Sequence, residues 1–112
     1  MSLKAKLRFH AGYLIGLIML LAMPVQAKTF RIVALGDSLS AGYLLGAGDA
    51  FPAVLEAALK AKGHDVAIEN AGVSGDTATG GLERLDWSVP DGTDAVLVEL
   101  GANDALRGID PK

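Results

Sequence analysis

Runs of apolar residues separated by short polar turns recur through residues 28–112, and they predict three β-strands. The first run, Phe30–Leu35, is mostly apolar and ends at Gly36, as expected of a strand buried on both faces. The second, Asp65–Asn70, alternates apolar and polar residues, which is typical of a strand at a sheet edge or exposed on one side. The third, Ala95–Leu100, is apolar on both faces. We expect the first and third strands to be central and the second to be peripheral.

Helical periodicity separates these strands. One predicted helix is capped by Asp49 and ends at Gly63, and a second, shorter one carries Leu82 and Leu85. The apolar face of the first helix consists of Phe51, Val54, Leu55, Ala58 and Leu59. Strands alternating with helices predict an α/β fold with a parallel sheet and right-handed connections. In such sheets the ligand lies beyond the carboxyl ends of the strands.

The first 27 residues have the pattern of a secretory signal peptide. Basic residues at positions 4, 6 and 8 precede an apolar block, Ala11–Met23. That block is shorter than the roughly 20 residues that a membrane span needs, and Ala27 suits cleavage before Lys28. The alternative is an uncleaved N-terminal anchor. The pattern predicts a protein that is periplasmic or secreted and has no stable membrane span.

Cleavage would leave an acidic protein. The chain has 10 basic and 13 acidic residues, and removal of the three basic residues leaves 7 against 13, a net charge of −6. Nothing in it resembles a basic stripe, so we expect no nucleic-acid partner. The sequence has no cysteine, and His64 is the one histidine that remains, so no disulfide, metal site or other cofactor is predicted.

A serine follows directly after the first predicted strand, in the segment Gly36-Asp37-Ser38-Leu39-Ser40. An α/β fold exposes a nucleophile at this position, where a buried strand turns into a helix. Glycine permits the tight turn, and the unpaired N–H groups at the helix start stabilise developing negative charge. The pattern predicts acyl transfer through Ser38. The alternative is that Ser38 only caps the helix that follows it.

Two more loops leave the predicted carboxyl ends of strands: Asn70-Ala71-Gly72-Val73-Ser74-Gly75-Asp76-Thr77 and Gly101-Ala102-Asn103-Asp104. With the serine segment, they resemble the first three sequence blocks of the SGNH, or GDSL, hydrolase family. Flanking matches are Ala41-Gly42-Tyr43, Val98-Glu99-Leu100 and Leu106-Arg107-Gly108. The resemblance is to the secreted bacterial subgroup of acyl-CoA thioesterases, lysophospholipases and arylesterases, and it covers nearly all of Phe30–Gly108. It implies a flavodoxin-like three-layer α/β/α fold, present here as its βαβαβ N-terminal portion. It also implies a serine hydrolase that cleaves carboxylic ester or thioester bonds of small acyl substrates.

The resemblance also implies a role for individual residues. Ser38 would be the nucleophile, and the oxyanion hole would comprise the N–H groups of Ser38 and Gly75 and the side-chain amide of Asn103. Glycine lets the backbone approach a substrate closely, and an amide supplies two N–H donors. The alternatives are that Gly75 serves only a turn and that Asn103 bridges loop backbones. Loop-fixing hydrogen bonds are expected of four further residues: Asp37, Asn70, Asp76 and Asp104.

A serine nucleophile needs a base, which in this family belongs to an Asp-x-x-His block near the C-terminus. The printed sequence contains no such block. His64 follows Gly63 at the far end of the first helix, which this topology directs away from the carboxyl ends of the strands, so we interpret it as a solvated residue.

We therefore expect residues 28–112 to be the N-terminal portion of one hydrolase domain, without its C-terminal part and inactive for want of a base. One alternative is that the protein itself is a truncated fragment with no catalytic function. Another is a flavodoxin-like binding module for phosphate, although Gly36–Gly42 contains neither a Gly-x-Gly-x-x-Gly pattern nor a P-loop lysine.

Overall fold

The computed structural model describes residues 26–111, in which helices accompany a three-stranded parallel sheet of spatial order β2-β1-β3. The strands are β1 (Phe30–Gly36), β2 (Val66–Gly72) and β3 (Ala95–Glu99). The helices are α1 (Ser38–Ala41), α2 (Phe51–Ala61), α3 (Ala78–Glu83), α4 (Leu85–Ser88) and α5 (Ala102–Leu106). The predicted α/β class with a parallel sheet is confirmed. The predicted signal peptide lies outside the described residues, except for its last two. No helix within residues 26–111 is long and apolar enough to cross a membrane.

Strand β1 lies at the centre of this sheet because its residues are apolar on both faces. Val33, Ala34 and Leu35 are at most 3 % exposed, and β1 pairs with β2 on one side and β3 on the other. The predicted peripheral position of β2 is confirmed. Strand β3, however, is an edge strand of the described sheet, and Val98 on it is 67 % exposed. The expected central position of β3 is therefore not seen among residues 26–111.

Helix α2 packs against β2. It begins one residue later than predicted, because its cap is Ala50, which makes no side-chain cap hydrogen bond; the predicted cap Asp49 is wrong. Pro52, in the first turn, has no N–H to leave unpaired, which compensates for the missing side-chain cap. Gly63 follows the helix with a φ of 87°, as the predicted stop requires. The predicted apolar face is only partly right, since Val54 is 52 % exposed.

The strand register places three strand ends side by side. Gly36 at the end of β1 pairs with Gly72 of β2 and with Glu99 of β3. The loops after the three strands therefore leave from one edge of the sheet. His64 precedes β2 and therefore lies near the amino ends of the strands. At roughly 3.3 Å per strand residue, the length of β2 separates it by about 20 Å from the carboxyl ends, where the three loops leave.

Candidate active site

The turn after β1 presents Ser38 as the first residue of α1. The cap of this helix is Asp37, whose carboxylate accepts a hydrogen bond from the N–H of Leu39 at 2.9 Å. The alternative that Ser38 caps the helix is therefore wrong. Helix α1 is a single turn that ends where Gly42 takes a φ of 80°. A single turn has only a small dipole, so its free N–H groups, and not the dipole, are what the turn offers to an anion.

Two glycines let α1 lie directly against the strand ends. A Cβ on Gly36 would come within 2.7 Å of Ser40 Cβ in α1 and within 2.9 Å of the Glu99 carbonyl oxygen, and a Cβ on Gly72 would come within 2.7 Å of Ala41 Cα. The Glu99 and Ala41 atoms belong to the backbone, which cannot move aside cheaply. The glycines at the ends of β1 and β2 therefore determine how closely the serine turn approaches the sheet.

Glu99, at the end of β3, forms hydrogen bonds with the serine turn. Its Oε2 accepts hydrogen bonds from Ser40 Oγ at 3.0 Å and from the N–H of Asp37 at 3.3 Å. Asp37 and Ser40 are completely buried, so these bonds are made away from bulk water. Glu99 was not predicted as a site residue. Its sequence signal is a carboxylate in an otherwise apolar strand.

Asn70 ties β2 to the same turn. Its Nδ2 donates to the Ser40 carbonyl at 2.7 Å, and its Oδ1 accepts from the N–H of Gly72 at 2.9 Å. Both polar ends of the amide are thus paired within the backbone around α1, and Asn70 makes the loop-fixing contacts expected of it.

Asn103 joins all three loops. Its Nδ2 donates to the Asp76 carbonyl at 2.8 Å and to Asp37 Oδ2 at 3.2 Å. This is the bridging arrangement considered as the alternative for Asn103. A role in an oxyanion hole would require one N–H to turn from its present partner, and the longer bond to Asp37 is the weaker of the two. Nearby, Asp104 Oδ2 accepts from the N–H of Ala78 at 2.9 Å and joins the third loop to α3.

Gly75 has a φ of 82°, so its position requires a residue without Cβ strain. Its carbonyl accepts a hydrogen bond from Arg107 Nη2 at 2.7 Å. Within residues 26–111, the N–H groups of Gly75 and Ser38 donate to no other residue. Two backbone donors are therefore free in the first two loops at this edge.

A buried arginine was missed by the sequence analysis. Arg84, between α3 and α4, is 8 % exposed and pairs with Asp76, whose carboxylate lies 2.7 Å from Arg84 Nε. Asp76 also accepts at Oδ1 from the N–H of Thr77 at 3.1 Å. The available signal was that Arg84 is the only Lys or Arg between Lys62 and Arg107, in a stretch rich in acidic residues.

An open cavity of about 770 Å³ lies between helix α3 and the third loop. Its lining is mostly apolar or small: Ala78, Thr79, Leu82, Gly101, Asp104, Ala105, Ile109, Asp110 and Pro111. Among the residues that the structure describes, no cluster of three His, Asp or Glu side chains could hold a metal ion.

His64 is not part of this site. Its N–H donates to the Leu59 carbonyl at the end of α2, and its side chain is exposed near the amino end of β2. Since parallel strands end at the opposite edge, His64 cannot reach Ser38. It is the only histidine among residues 26–111, so that part of the chain holds no imidazole base for the serine.

Comparison with known proteins agrees with this geometry. Residues 34–112 match the model of the GDSL-like lipase/acylhydrolase family. The chain is 48 % identical over 83 residues to an arylesterase of Vibrio mimicus, covering 73 % of this chain and 42 % of the relative. It is 42 % identical over 106 residues to thioesterase 1/protease 1/lysophospholipase L1 of Escherichia coli, covering 94 % of this chain and 48 % of the relative.

A solved structure is also similar. The crystal structure of AlinE4, an SGNH-hydrolase family esterase, superimposes with a TM-score of 0.71 and 47 % identity, covering 77 % of this chain and 47 % of AlinE4. The chain thus spans about half the length of the curated relatives that it matches.

Proposed function

The chain belongs to the GDSL-like lipase/acylhydrolase family, and from that premise we propose that its protein is a serine hydrolase. The proposed substrates are small acyl compounds with a carboxylic ester or thioester bond. The names of the relatives support this class, since they include an arylesterase and a thioesterase/lysophospholipase. All of these names describe enzymes, which favours catalysis over the alternatives of a phosphate-binding module and a noncatalytic fragment.

One observation carries the proposal: three loops far apart in sequence meet at one sheet edge through the Asn103 amide. Asn103 contacts Asp37, next to the serine, and Asp76, next to Gly75. Ser38 and Gly75 therefore belong to loops that a single side chain holds together. A nucleophile beside fixed N–H donors is the arrangement that acyl transfer requires.

The proposed chemistry begins with attack of Ser38 Oγ on the substrate carbonyl carbon. The carbonyl oxygen then gains a negative charge, and the free N–H groups of Ser38 and Gly75 donate to it. One N–H of Asn103 joins them when its bond to Asp37 opens. Loss of one such donor typically lowers kcat by about 10²–10³, which is about 2.7–4 kcal/mol.

The attack also requires a base that accepts the Ser38 proton. Within residues 26–111 the one imidazole is that of His64, at the opposite edge of the sheet. The proposed mechanism therefore takes its base from outside residues 26–111. The carboxylates nearest the serine turn, Asp37 and Glu99, already accept hydrogen bonds that hold the loops.

The test measures the reaction with a fluorophosphonate probe and the hydrolysis of p-nitrophenyl butyrate. The protein assayed is the whole protein that contains this sequence, including the part that supplies the base. We expect Ser38→Ala to abolish both reactions, since the other hydroxyl of α1, that of Ser40, is completely buried and donates to Glu99. Ser74→Ala is the matched control, because Ser74 is an exposed serine of the adjacent loop. Equal hydrolysis by the Ser38→Ala variant and the unaltered protein would contradict the proposal. Parallel assays with a butyryl thioester distinguish the two bond types.

We also propose that the protein is exported, on the basis of its first 27 residues. A basic segment precedes an apolar block and a small residue, Ala27, as in signal peptides. N-terminal sequencing of the protein from the periplasm or culture medium should begin at Lys28. A protein that starts at residue 1 and sediments with membranes would instead indicate the N-terminal anchor.

A further inference from the structure

A lone arginine is buried where the strands end. Arg84 is the only cationic side chain between Lys62 and Arg107, and it is 8 % exposed. A guanidinium stays charged in proteins and has five N–H donors in a planar fork, so its burial is tolerated only when those donors are paired. The partners of Arg84 therefore show what its burial accomplishes.

The guanidinium of Arg84 donates to two strand ends and to one loop. Nη2 donates to the Gly36 carbonyl at 2.9 Å, and Nη1 to the Ala71 carbonyl at 2.8 Å. Nε donates to Asp76 Oδ2 at 2.7 Å, in an ion pair whose side chains are 10 % and 12 % exposed. A fourth bond, from Nη1 to Ser88 Oγ at 3.0 Å, holds the fork to α4.

These partners flank the atoms of the proposed reaction. Gly36 lies two residues before Ser38, and Asp76 directly follows Gly75. One rigid guanidinium thus connects the backbone that leads into the nucleophile with the loop that carries the second oxyanion donor. We infer that Arg84 is a positioning residue that sets the Gly75 N–H relative to Ser38, an inference that rests on the proposed function.

The structure predicts a kinetic signature for this role. Arg84→Gln removes the charge and the fork, so that the second loop is held to the serine turn by the Asn103 bridge without the guanidinium, and the distance between them is less closely fixed. A displacement of about 1 Å in a reacting group can lower the rate by about 10²-fold, so we expect a loss of kcat of that order. KM should stay unchanged, because the guanidinium of Arg84 donates only to groups of the protein itself, namely backbone carbonyls, Asp76 and Ser88.

The experiment measures kcat and KM for p-nitrophenyl butyrate in Arg84→Gln, Arg84→Lys and Arg31→Lys. Lysine keeps the charge but cannot donate from one plane to four acceptors, so Arg84→Lys should fold and show an intermediate kcat. Arg31→Lys is the matched control, since Arg31 is exposed near the amino end of β1, and its kcat should equal that of the unaltered protein. Circular dichroism at the assay temperature gives the folded fraction by which each kcat is normalised.

A merely structural role would lower the folded fraction and leave the normalised kcat unchanged, and this result in Arg84→Lys would overturn the inference. A rise in KM at constant kcat would also overturn it. Absence of Ser38-dependent hydrolysis in the unaltered protein is a different result, because it refutes the proposed function together with the inference.

Discussion

Substitution of Gly72 by alanine tests how the end of strand β2 positions Ser38, the proposed nucleophile. Gly72 is the last residue of β2, and its Cα faces the backbone of α1, the helix that begins with Ser38. Alanine retains the N–H that Gly72 donates to Asn70. The added methyl group is therefore the whole perturbation.

The structure gives the size of this perturbation. The new Cβ would lie 2.7 Å from Ala41 Cα, 2.8 Å from the Ser40 carbonyl carbon and closer still to the Ala41 nitrogen. Ordinary carbon contacts begin near 3.4 Å, so α1 and β2 must separate by about 0.7 Å or more. Overpacking of this kind typically costs about 1–3 kcal/mol of the free energy of unfolding. Since α1 carries Ser38, the proposed nucleophile, we also expect kcat to fall by about ten- to hundredfold.

The assay is urea unfolding, together with kcat for p-nitrophenyl butyrate, in Gly72→Ala and a control. Gly48→Ala is that control, because a Cβ on Gly48 meets nothing within 4 Å and its φ is not positive. Its free energy of unfolding should stay unchanged or rise by up to about 1 kcal/mol, since alanine restricts the unfolded chain. If the two variants were within about 0.5 kcal/mol of each other, the close approach of α1 to β2 would be refuted.

Three further results are expected. Hydrogen bonds from the Ile68 N–H and Lys60 lower the pKa of Glu56 from its ordinary value of 4.5. Hydrogen bonds from the Arg31 N–H and Lys28 likewise lower the pKa of Asp94 from its ordinary value of 3.8. The stabilisation of the fold by these two carboxylates is therefore complete at neutral pH and is lost as pH falls below those ordinary values. The urea concentration at the unfolding midpoint should decrease as pH falls below about 4.5, and it should decrease less steeply in Glu56→Gln. Equal slopes in this variant and in the unaltered protein would contradict the expectation. Asn103→Ala should lower kcat by about 10²–10³, because the oxyanion loses a donor. It should also destabilise the fold by about 1–3 kcal/mol, because Oδ2 of the buried Asp37 loses its donor. Undiminished kcat would exclude Asn103 from the oxyanion hole. His64→Ala should leave the rate of hydrolysis unchanged. Loss of hydrolysis in this variant would mean that His64 acts as the base, which would contradict its position near the amino ends of the strands.

Much of the fold followed from local pattern. The apolar run ending at Gly36 predicted the central strand, because only a strand covered on both faces buries consecutive apolar residues. The alternation from Asp65 predicted an edge strand, and β2 is one. One local signal was misleading: Asp49 is a good capping residue, yet the helix begins after Ala50, with a proline in its first turn.

The position of the candidate site also followed from the sequence. The carboxyl ends of parallel strands lie at one edge of the sheet, so the sequence predicts that the loops with Ser38, Gly75 and Asn103 converge there. Whether Gly75 and Asn103 donate to an oxyanion stays a prediction. Their present contacts, such as the bond from Asn103 to Asp37, were open alternatives that the pattern could not rank.

The partners of the buried polar groups came only from the tertiary structure. Arg84 bonds the Gly36 carbonyl 48 residues away, and Ser40 bonds Glu99 59 residues away. A sequence determines which segments become strands and which loops share an edge, because periodicity and chain direction are local properties. It does not determine which donor meets which acceptor across that edge, because that choice depends on how closely the backbones pack. Here the packing is set by glycine contacts to helix α1, and it decides that one arginine, one glutamate and two asparagines hold the serine turn and its neighbouring loops together.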